Sequence, residues 1–563
     1  MNDLRNFAAT SALFIAAPLP LMACLAFRTG GVTGALLALA GGLAVALLYW
    51  WPIGAFLSWN KGRVWMRLLA GYLLSIPLYF AALAVLYPAW ASATFHPLVH
   101  GSWKIYLTAT PQFYAMAVAL FYLTASRAAQ WTWVAAATVF AAGLIVPVYL
   151  TASLRLAGPS QERGPGQASS HFVITGARVV DTASGRIVDG QNVYISDGRI
   201  VEIGPAAPHA GWPRMEAHGQ YLSPGLIDVH VHLQSPVEMP AGFQFGYFMK
   251  SVLGDYGLQR TAYLANGVTS VRDLGGPAAA SFHLRAELQA KRTLGPRLFT
   301  AGRLVTSPHG HPVSTIWSTA IAERGAILAV DERTMLEGLN RNLAEGPPDA
   351  VKFIHGTIGL AGEELSTPLL ARGIRWADEH HLPSVVHAET AAEVEDAINA
   401  GATGVEHTAY LQDVPASLAA LVAQRRPFLD PTFGEFETSL RLRKVPAGEQ
   451  AQELQRSYRS VRELYRAGAR IAIGTDAPLV AFGNGFHDEL AHFARAGFAP
   501  AEILRFATVN NAAYLGRDCE LGSIAAGYRA DLILTKSNPL EHLETLRHPE
   551  WTMLDGQIVA GRK

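Results

Sequence analysis

Cysteine is nearly missing from this sequence: Cys24 and Cys519 are the only two among 563 residues. This excludes a disulfide framework and argues against a metal site built from thiolates. The formal net charge is zero, because 45 Lys and Arg residues balance 45 Asp and Glu residues. A neutral chain gives no indication of a nucleic-acid partner.

Acidic residues are scarce in the N-terminal part of the chain. Between Met1 and Gln161 only Asp3 is acidic, whereas the chain from Glu162 onward has an ordinary globular charge density. Over the whole sequence 16% of residues are charged and 50% are hydrophobic, and this is a low charge content for a fully soluble protein. The composition therefore divides the chain near residue 160.

Long apolar runs fill the first part. Most of them approach the roughly 20 residues that cross a bilayer core, and tryptophans gather at their ends. The runs cover approximately residues 10–27, 32–57, 68–87, 112–124 and 134–150. We therefore expect residues 1–157 to form an all-α transmembrane domain with about five spans in the lipid bilayer. Residues 158–170, rich in Gly, Ser and Pro, are expected to be a linker.

The basic loop Lys61–Arg67 predicts the orientation of these spans. By the positive-inside rule it lies in the cytoplasm, so the chain after Arg155 is expected on the periplasmic face of a bacterial inner membrane. No paired polar residues within the spans mark a transport path, and the expected role is anchoring. An alternative interpretation makes Leu21–Cys24 a lipoprotein cleavage site, with the rest of the chain on the same side.

The remainder predicts two further domains. Short β-runs with Asp-Gly turns at 171–222 and 522–563 predict a flanking β-sandwich built from both ends. Between them, residues 223–521 alternate β-like and helical segments, and eight such units over about 250 residues predict an α/β (β/α)₈ TIM barrel. The predicted strands are Leu226–His232, Val268–Asp273, Arg297–Leu304, Ala350–His355, Pro383–Ala388, Gly404–Thr408, Pro427–Pro431 and Arg470–Thr475.

Residues of metal-ligand type stand at the ends of five predicted strands, where barrel enzymes have their active sites. They are His230, His232, Lys352, His387, His407 and Asp476. Each alone has an ordinary explanation, such as a structural hydrogen bond or a helix N-cap. His230 and His232, however, are two residues apart on one strand and share a face. Together the six predict a metal site.

The motifs around these residues resemble the amidohydrolase superfamily, and most closely its Xaa-Pro dipeptidase and imidazolonepropionase-like branch. They are HVH at 230–232, TSVRDLGG at 269–276, VKFI at 351–354, VHAE at 386–389, VEHT at 405–408, GTDAP at 474–478 and GSIAAGYRADL at 522–532. The resemblance covers about 172–561 and does not extend to the apolar first part.

The resemblance implies two divalent metal ions. Nitrogen and oxygen ligands suit Zn²⁺, with Mn²⁺ and Co²⁺ as alternatives. A desolvated amine on Lys352 would take up CO₂, and the carbamate would bridge the two ions. His230, His232 and Asp476 would hold the first metal, and His387 with His407 the second. Asp476 would accept the proton of a bridging hydroxide and pass it to the leaving amine.

Two further residues are candidates for contact with the substrate. His311, in the loop 307–311, resembles a family histidine that touches the substrate, with His309 as the alternative. Tyr410, three residues past His407, is placed to donate its hydroxyl to the substrate carbonyl or carboxylate. For each, a purely structural role is the competing interpretation.

Three functions compete. The first is a membrane-anchored, metal-dependent amidohydrolase that cleaves a peptide-like or N-acyl amide bond of a small molecule through a metal-bridging hydroxide, with Xaa-Pro dipeptides as first candidates. The second is a mononuclear cyclic-amide hydrolase or deaminase, in which Lys352 would be structural. The third, of another class, is a membrane receptor or transporter whose barrel binds a ligand.

Overall fold

The computed structural model describes residues 171–205, 209, 211–233, 257–313, 324–356, 363–408 and 412–561. The predicted membrane domain at 1–157, the linker at 158–170 and Tyr410 lie outside these residues. In the described ranges, no helix combines the length and the apolar character that crossing a bilayer requires.

Both flanks of the described chain contribute to one eight-stranded sheet, with strand order β18-β17-β16-β5-β1-β2-β3 and β4 paired to β1. Its strands are β1 His171–Asp181, β2 Arg186–Ser196, β3 Arg199–Gly204, β4 Arg214–Glu216, β5 Tyr221–Pro224, β16 Leu532–Thr535, β17 Trp551–Leu554 and β18 Gln557–Gly561. The two flanks meet where β5 pairs antiparallel with β16, with Leu222 opposite Leu534. Alternating residues of β1, such as Phe172 and Ile174, are buried in an apolar cluster with Leu532.

The residues between the flanks form a parallel α/β barrel. Its strands are β6 Leu226–Val231, β7 Val268–Asp273, β8 Arg297–Thr300, β9 Leu304–Thr306, β10 Ala326–Leu328, β11 Val351–Ile354, β12 Ser384–His387, β13 Gly404–Glu406, β14 Phe428–Asp430 and β15 Arg470–Ile471. They pair in the orders β6-β7-β8 and β10-β9-β11-β12-β13-β14-β15. After β15, a parallel bridge from Ala477 to Val231 returns the chain to β6. The predicted α/β barrel class is thereby confirmed.

The third predicted strand differs from the structure. Instead of one strand over 297–304, the chain forms β8 and β9, because Gly302 lies between them with φ +68°. A left-handed residue interrupts the extended backbone, and glycine adopts that conformation without a steric penalty. The strand β10, which pairs with β9, was not predicted, since three residues are too few to show a β-pattern.

Helices follow most of the barrel strands. They are α1 Gly257–Ala265, α2 Ala278–Gln289, α3 Glu332–Glu345, α4 Thr367–Glu379, α5 Ala391–Asn399, α6 Ala416–Arg425, α7 Phe433–Leu442, α8 Ala447–Ala467, α9 Asn484–Arg495, α10 Pro500–Arg505 and α11 Asn511–Tyr514, with a π-helix at Phe506–Asn510 and a 3₁₀-helix at Leu543–Arg547. In α8, Leu454, Tyr458, Val461 and Leu464 recur at helical spacing and are buried on one face. The main apolar cluster lies between such faces and the barrel strands.

Candidate metal centre

His230 of β6, His232 just after β6, and Asp476 converge at one end of the barrel. His230 is 1% exposed, and its Nε2 lies 3.4 Å from Asp476 Oδ1. His232 Nε2 lies 3.2 Å from the same oxygen. Asp476 has φ +54°, so the backbone turns sharply there, three residues after Ile473. This turn brings its carboxylate in front of both imidazoles.

His387 and His407 complete the ring of imidazoles. His387 is the last residue of β12, and His407 follows β13 with φ +68°. The His407 ring centroid is 4.3 Å from that of His387 and 5.3 Å from that of His230. His230, His407 and Asp476 each offer a ligand atom within 4.8 Å of the other two. The structure therefore brings together side chains from four separate strand ends.

Lys352 lies in β11 and is 1% exposed. Its Nζ has no hydrogen-bond acceptor among the described residues. Burial lowers the pKa of Lys352, and although the carboxylates of Glu406 and Asp476 act in the opposite direction, the result stays below the ordinary value. A lowered pKa favours the neutral amine, which is the form that can react with CO₂.

The Nδ1 atom of three of these histidines faces a protein oxygen. His232 Nδ1 lies 2.8 Å from the Gly275 carbonyl oxygen, and His407 Nδ1 lies 2.7 Å from Thr432 Oγ1. His230 Nδ1 lies 2.6 Å from Glu406 Oε2. An oxygen on Nδ1 fixes the ring and leaves Nε2 to serve as the metal ligand.

Electrostatics favour the metal-binding protonation states of His387, His407 and Asp476. For His232, burial lowers the pKa, but the hydrogen bond and the charge of Asp476 outweigh it and raise the pKa. Burial lowers the pKa of both His387 and His407 well below the ordinary histidine value, so both imidazoles are neutral. For Asp476, burial raises the pKa, but the charge of His230 and the hydrogen bond from His232 outweigh it and hold the pKa below its usual range. A carboxylate that stays ionised is an available ligand and base.

This donor set fits a divalent metal ion. Imidazole nitrogens and a carboxylate oxygen are the ligand types of Zn²⁺ sites without cysteine. In the described part of the chain, Lys352 Nζ and His387 Nε2 are buried without a hydrogen-bond partner. Buried polar atoms are rarely left unsatisfied, so both atoms are available to a ligand.

The predicted substrate-contact residues have different outcomes. The His311 ring stacks against His387, with centroids 5.3 Å apart. Burial lowers the pKa of His311 to about 3, so this ring is neutral beside the cluster. For His309 the structure records only a backbone bond, from Glu363 N–H to its carbonyl. Whether His311 touches a substrate stays a prediction.

Several buried polar residues around the site escaped prediction. Asp228 accepts hydrogen bonds from Thr475 N–H and Oγ1 and from His230 N–H. Glu406, Arg272 and Asp430 are also buried, all at 1% exposure or less. The available signal was a charged residue inside an otherwise apolar strand, as in LIDVHV or VTSVRD.

Comparison with known proteins agrees with this geometry. A model of the amidohydrolase family matches residues 221–559. The adenine deaminase of Paracoccus denitrificans is 26% identical over 415 residues, which cover 71% of this chain and 60% of that protein. Adenine deaminase 3 of Rhizobium johnstonii is 26% identical over 377 residues, covering 64% and 54%. The chain thus spans less than two thirds of the length of these relatives.

Two solved structures show the same fold. A Xaa-Pro dipeptidase with methionine in its active site superposes with a TM-score of 0.60 at 21% identity, covering 70% of this chain and 100% of that one. A prolidase complexed with N-methylphosphonate-L-proline gives a TM-score of 0.59 at 22% identity, with the same coverage. At such identities the likeness concerns the fold.

The family match covers more than half of the sequence and includes every predicted ligand. It confirms the predicted superfamily. The chain belongs to the amidohydrolase family.

Proposed function

We propose that this protein uses divalent metal to hydrolyse a carbon–nitrogen bond of a small molecule at the centre formed by His230, His232, His387, His407 and Asp476. The convergence of these side chains around the buried amine of Lys352 supports the proposal most directly. A binding or transport module would have no need for a buried lysine with a lowered pKa among histidines at strand ends.

The residues have distinct roles in this proposal. The four histidines and Asp476 would hold divalent metal. The neutral amine of Lys352 would react with CO₂, releasing a proton, and the resulting carbamate would supply a further anionic ligand. When bound, divalent metal lowers the pKa of water toward 7 and polarises the group under attack. The protein contributes the fixed positions of its ligands and a buried site.

Asp476 is the proposed proton carrier. Its Oδ1 faces the point where His230 and His232 converge, and its lowered pKa keeps it ionised at neutral pH. It accepts a proton from the attacking water and delivers it to the leaving nitrogen. His311, neutral and stacked on His387, is the proposed contact for the substrate, and Tyr410 is proposed from the sequence alone.

The relatives favour deamination. Those described above are named adenine deaminases, so an amino group on a heterocyclic ring, leaving as ammonia, is the first substrate class to test. This is the second function considered from the sequence, and it is better supported than peptide cleavage.

Hydrolysis of a peptide-like or N-acyl amide, with Xaa-Pro dipeptides first, is the second candidate. The observation that favours it is Lys352: a structural lysine would be expected to pair with a carboxylate, yet its Nζ has no acceptor among the described residues. A lysine available for carbamate formation favours two metals, the arrangement that the resemblance associates with dipeptidases.

The test measures metal content and turnover of the full chain purified in detergent. Adenine and cyclic amides are assayed by ammonia release or ring opening, and Xaa-Pro dipeptides and N-acyl amino acids by release of the amino acid. We expect bound Zn²⁺ and turnover in one class, abolished by Asp476→Asn. Metal-free protein that is inactive on every class after Zn²⁺ is added would overturn the proposal.

We also propose that residues 1–157 anchor the enzyme in a bacterial inner membrane with the barrel on the periplasmic side. The five apolar runs and the basic loop at 61–67 support this. Reporter fusions within 158–170 would test the side, and extraction of membranes with alkali would test the anchoring. A chain released by alkali would contradict the spans.

A further inference from the structure

Glu406, which no part of the proposed chemistry uses, lies directly beneath His230. Its side chain is fully buried, and its Oε2 is 2.6 Å from His230 Nδ1. Asp430 is the other carboxyl group beside this pair, with its Oδ2 3.7 Å from His230 Nδ1. A separation this short between a ring nitrogen and a carboxylate oxygen requires a hydrogen between them. The hydrogen therefore belongs to Nδ1, the only donor of the two.

We propose that Glu406 is a positioning residue of the metal centre: its carboxylate holds the Nδ1–H of His230 and thereby keeps the Nε2 lone pair directed at the metal. This inference rests on the proposed function, because it assigns a task to a side chain that touches a ligand and not the substrate. His232 and His407 are oriented by neutral oxygens, from Gly275 and Thr432. Of these three imidazoles, His230 is the one held by a charged group.

The opposite oxygen of Glu406 is fixed from the other side. Tyr514 donates its hydroxyl to Oε1 at 2.8 Å, and Arg272 donates to the same oxygen at 3.4 Å. The Arg272 guanidinium lies 4.0 Å from the centroid of the Tyr514 ring, and its Nε donates to the Val229 carbonyl at 2.8 Å. Glu406 thus cannot turn away from His230 without losing both donors.

A metal ion between these groups is a weaker explanation. His230, Glu406 and Asp430 do offer three ligand atoms within 4.8 Å of one another. However, the 2.6 Å between Nδ1 and Oε2 is shorter than the ~3.4 Å that separates two ligands of a tetrahedral metal with bonds of about 2.1 Å. Asp430 is farther from the ring, with its Oδ2 3.7 Å from His230 Nδ1, and its Oδ1 accepts the Gly474 N–H at 2.8 Å. A hydrogen bond fits this distance and a metal does not.

The arrangement makes Glu406→Gln a diagnostic variant. Tyr514 and Arg272 both donate, so they retain the amide oxygen of the glutamine on their side. The amide nitrogen, which is a donor, then faces Nδ1 of His230. That nitrogen must become an acceptor, the ring hydrogen moves to Nε2, and Nε2 loses the lone pair that a metal ligand needs. The substitution changes the tautomer while nearly preserving the volume.

The experiment compares Zn²⁺ affinity of the full-length protein in detergent, measured by competition with a chelating dye and without substrate. We expect Glu406→Gln to weaken the binding of one Zn²⁺ by about 10- to 100-fold. Added Zn²⁺ should restore much of the lost kcat/KM in this variant, whereas a purely structural defect would not respond. Wild-type affinity in Glu406→Gln would overturn the proposal.

A matched control is Glu502→Gln in α10. Glu502 also accepts from a tyrosine hydroxyl, that of Tyr465 at 3.1 Å, and from the Ala499 N–H, but it lies outside the barrel mouth. We expect its Zn²⁺ affinity to be unchanged, and an equal loss in both variants would contradict a specific role for Glu406. If Glu406→Gln does not fold, Glu406→Asp, one methylene shorter, takes its place with about 10-fold weaker binding expected, and wild-type affinity would again overturn the proposal.

Failure of this inference differs from failure of the proposed function. A wild-type protein that binds no Zn²⁺ would overturn both. A wild-type protein that binds Zn²⁺ while Glu406→Gln binds it equally well would overturn the positioning role alone. Metal binding without any hydrolysis, together with a weakened Glu406→Gln, would support the positioning role and overturn the function.

Discussion

Lys352 is the residue whose environment is least ordinary. An ammonium ion without a partner is very costly to bury, so a lysine that is 1% exposed and has no acceptor among the described residues is expected to be neutral or modified. Its neighbours are the metal-ligand candidates, because a charged Lys352 would lower the pKa of His230, His387 and His407. This environment supports the chemical role proposed for Lys352 over a structural one.

We expect Lys352→Ala to remove at least one bound metal per chain and most turnover. The reason is that alanine can neither form a carbamate nor replace the anionic ligand. Metal content after dialysis and kcat would be measured, with Lys352→Glu as the control that retains an anionic oxygen ligand. Full metal occupancy with normal rates in Lys352→Ala would defeat the bridging role.

The convergence of the candidate ligands was easier to predict from the sequence than the side chains that hydrogen-bond to them. Side chains at i and i+2 of a strand share a face, so HVH at 230–232 and the histidines at later strand ends could be proposed to converge. Glu406 and Thr432 could not be assigned to His230 and His407, because these contacts join residues that are distant in the chain. Only the packed barrel brings such pairs together.

Among the elements, the segment after β15 passes very close to β6. A Cβ added at Gly474 would lie 2.3 Å from Asp430 Oδ2 and 2.4 Å from His230 Cβ. Contacts below 3 Å force a shift of the backbone or of its neighbours. A glycine is therefore required where the chain approaches His230.

Gly474→Ala is expected to destabilise the protein by about 1–3 kcal/mol, the usual cost of overpacking, and to weaken metal binding by displacing His230. Urea unfolding and Zn²⁺ competition would measure the two effects. Gly448→Ala is the matched control, since a Cβ there meets nothing within 4 Å. Similar results for the two variants would contradict the steric argument.

Helix α9 contains a histidine that must stay neutral. His487 is 4% exposed, and its Nε2 lies 2.8 Å from the Asn266 carbonyl oxygen. Burial lowers its pKa from 6.5 to about 3. In the unfolded chain His487 takes up a proton near pH 6.5, whereas in the folded chain it does so only near pH 3. Its contribution to the free energy of unfolding is therefore complete above pH 6.5 and is lost as the pH falls from 6.5 toward 3.

Below pH 6.5 the free energy of unfolding should fall by about 1.4 kcal/mol per pH unit because of this residue, which amounts to about 2 kcal/mol at pH 5. His487→Gln keeps a donor near the Asn266 carbonyl and cannot be protonated. Urea unfolding between pH 7 and pH 5 would measure the free energy of unfolding of the wild type and the variant. The contributions of the other histidines are the same in both proteins and cancel in the difference. Parallel curves for the two proteins would show that His487 does not contribute.

Element boundaries were predictable where the pattern is long and uninterrupted. The strand Val268–Asp273 was predicted with the bounds that the structure gives, since six buried residues precede a Gly-Gly turn. The prediction for 404–408 extended two residues too far, because His407 and Thr408 have positive φ. That strained geometry belongs to the site, and local sequence preference gives no sign of it.

For the molecule as a whole, an ionic cluster ties the flanking sheet to the barrel. Arg297 of β8 contacts Asp531 at 3.0 Å and Asp555 at 2.7 Å. Asp555 also forms an ion pair with Arg529, with 3.0 Å between Oδ1 and Nη1. The backbone N–H of Asp555 donates a hydrogen bond to Asp531 Oδ1. Asp531 is 6% exposed, so its charge depends on these partners.

Arg297→Met should lower the free energy of unfolding by about 3 kcal/mol, because it leaves the Asp531 carboxylate buried without its main counter-charge. The double variant Arg297→Met/Asp531→Asn should be less destabilised than the sum of the single variants. Urea unfolding of the wild type, the two single variants and the double variant gives the double-mutant cycle. Additive effects would mean that the pair is not coupled.

The pairing of β5 with β16 has a consequence for biosynthesis. These neighbours in the sheet are made roughly 300 residues apart, so at 5–20 residues per second the earlier strand waits about 15–60 s for the later one. During that interval β5 lacks its C-terminal neighbour and presents unpaired backbone groups to other chains. A ribosome that stalls before residue 532 would leave a nascent chain whose barrel ligands are all present but whose open sheet edge invites aggregation.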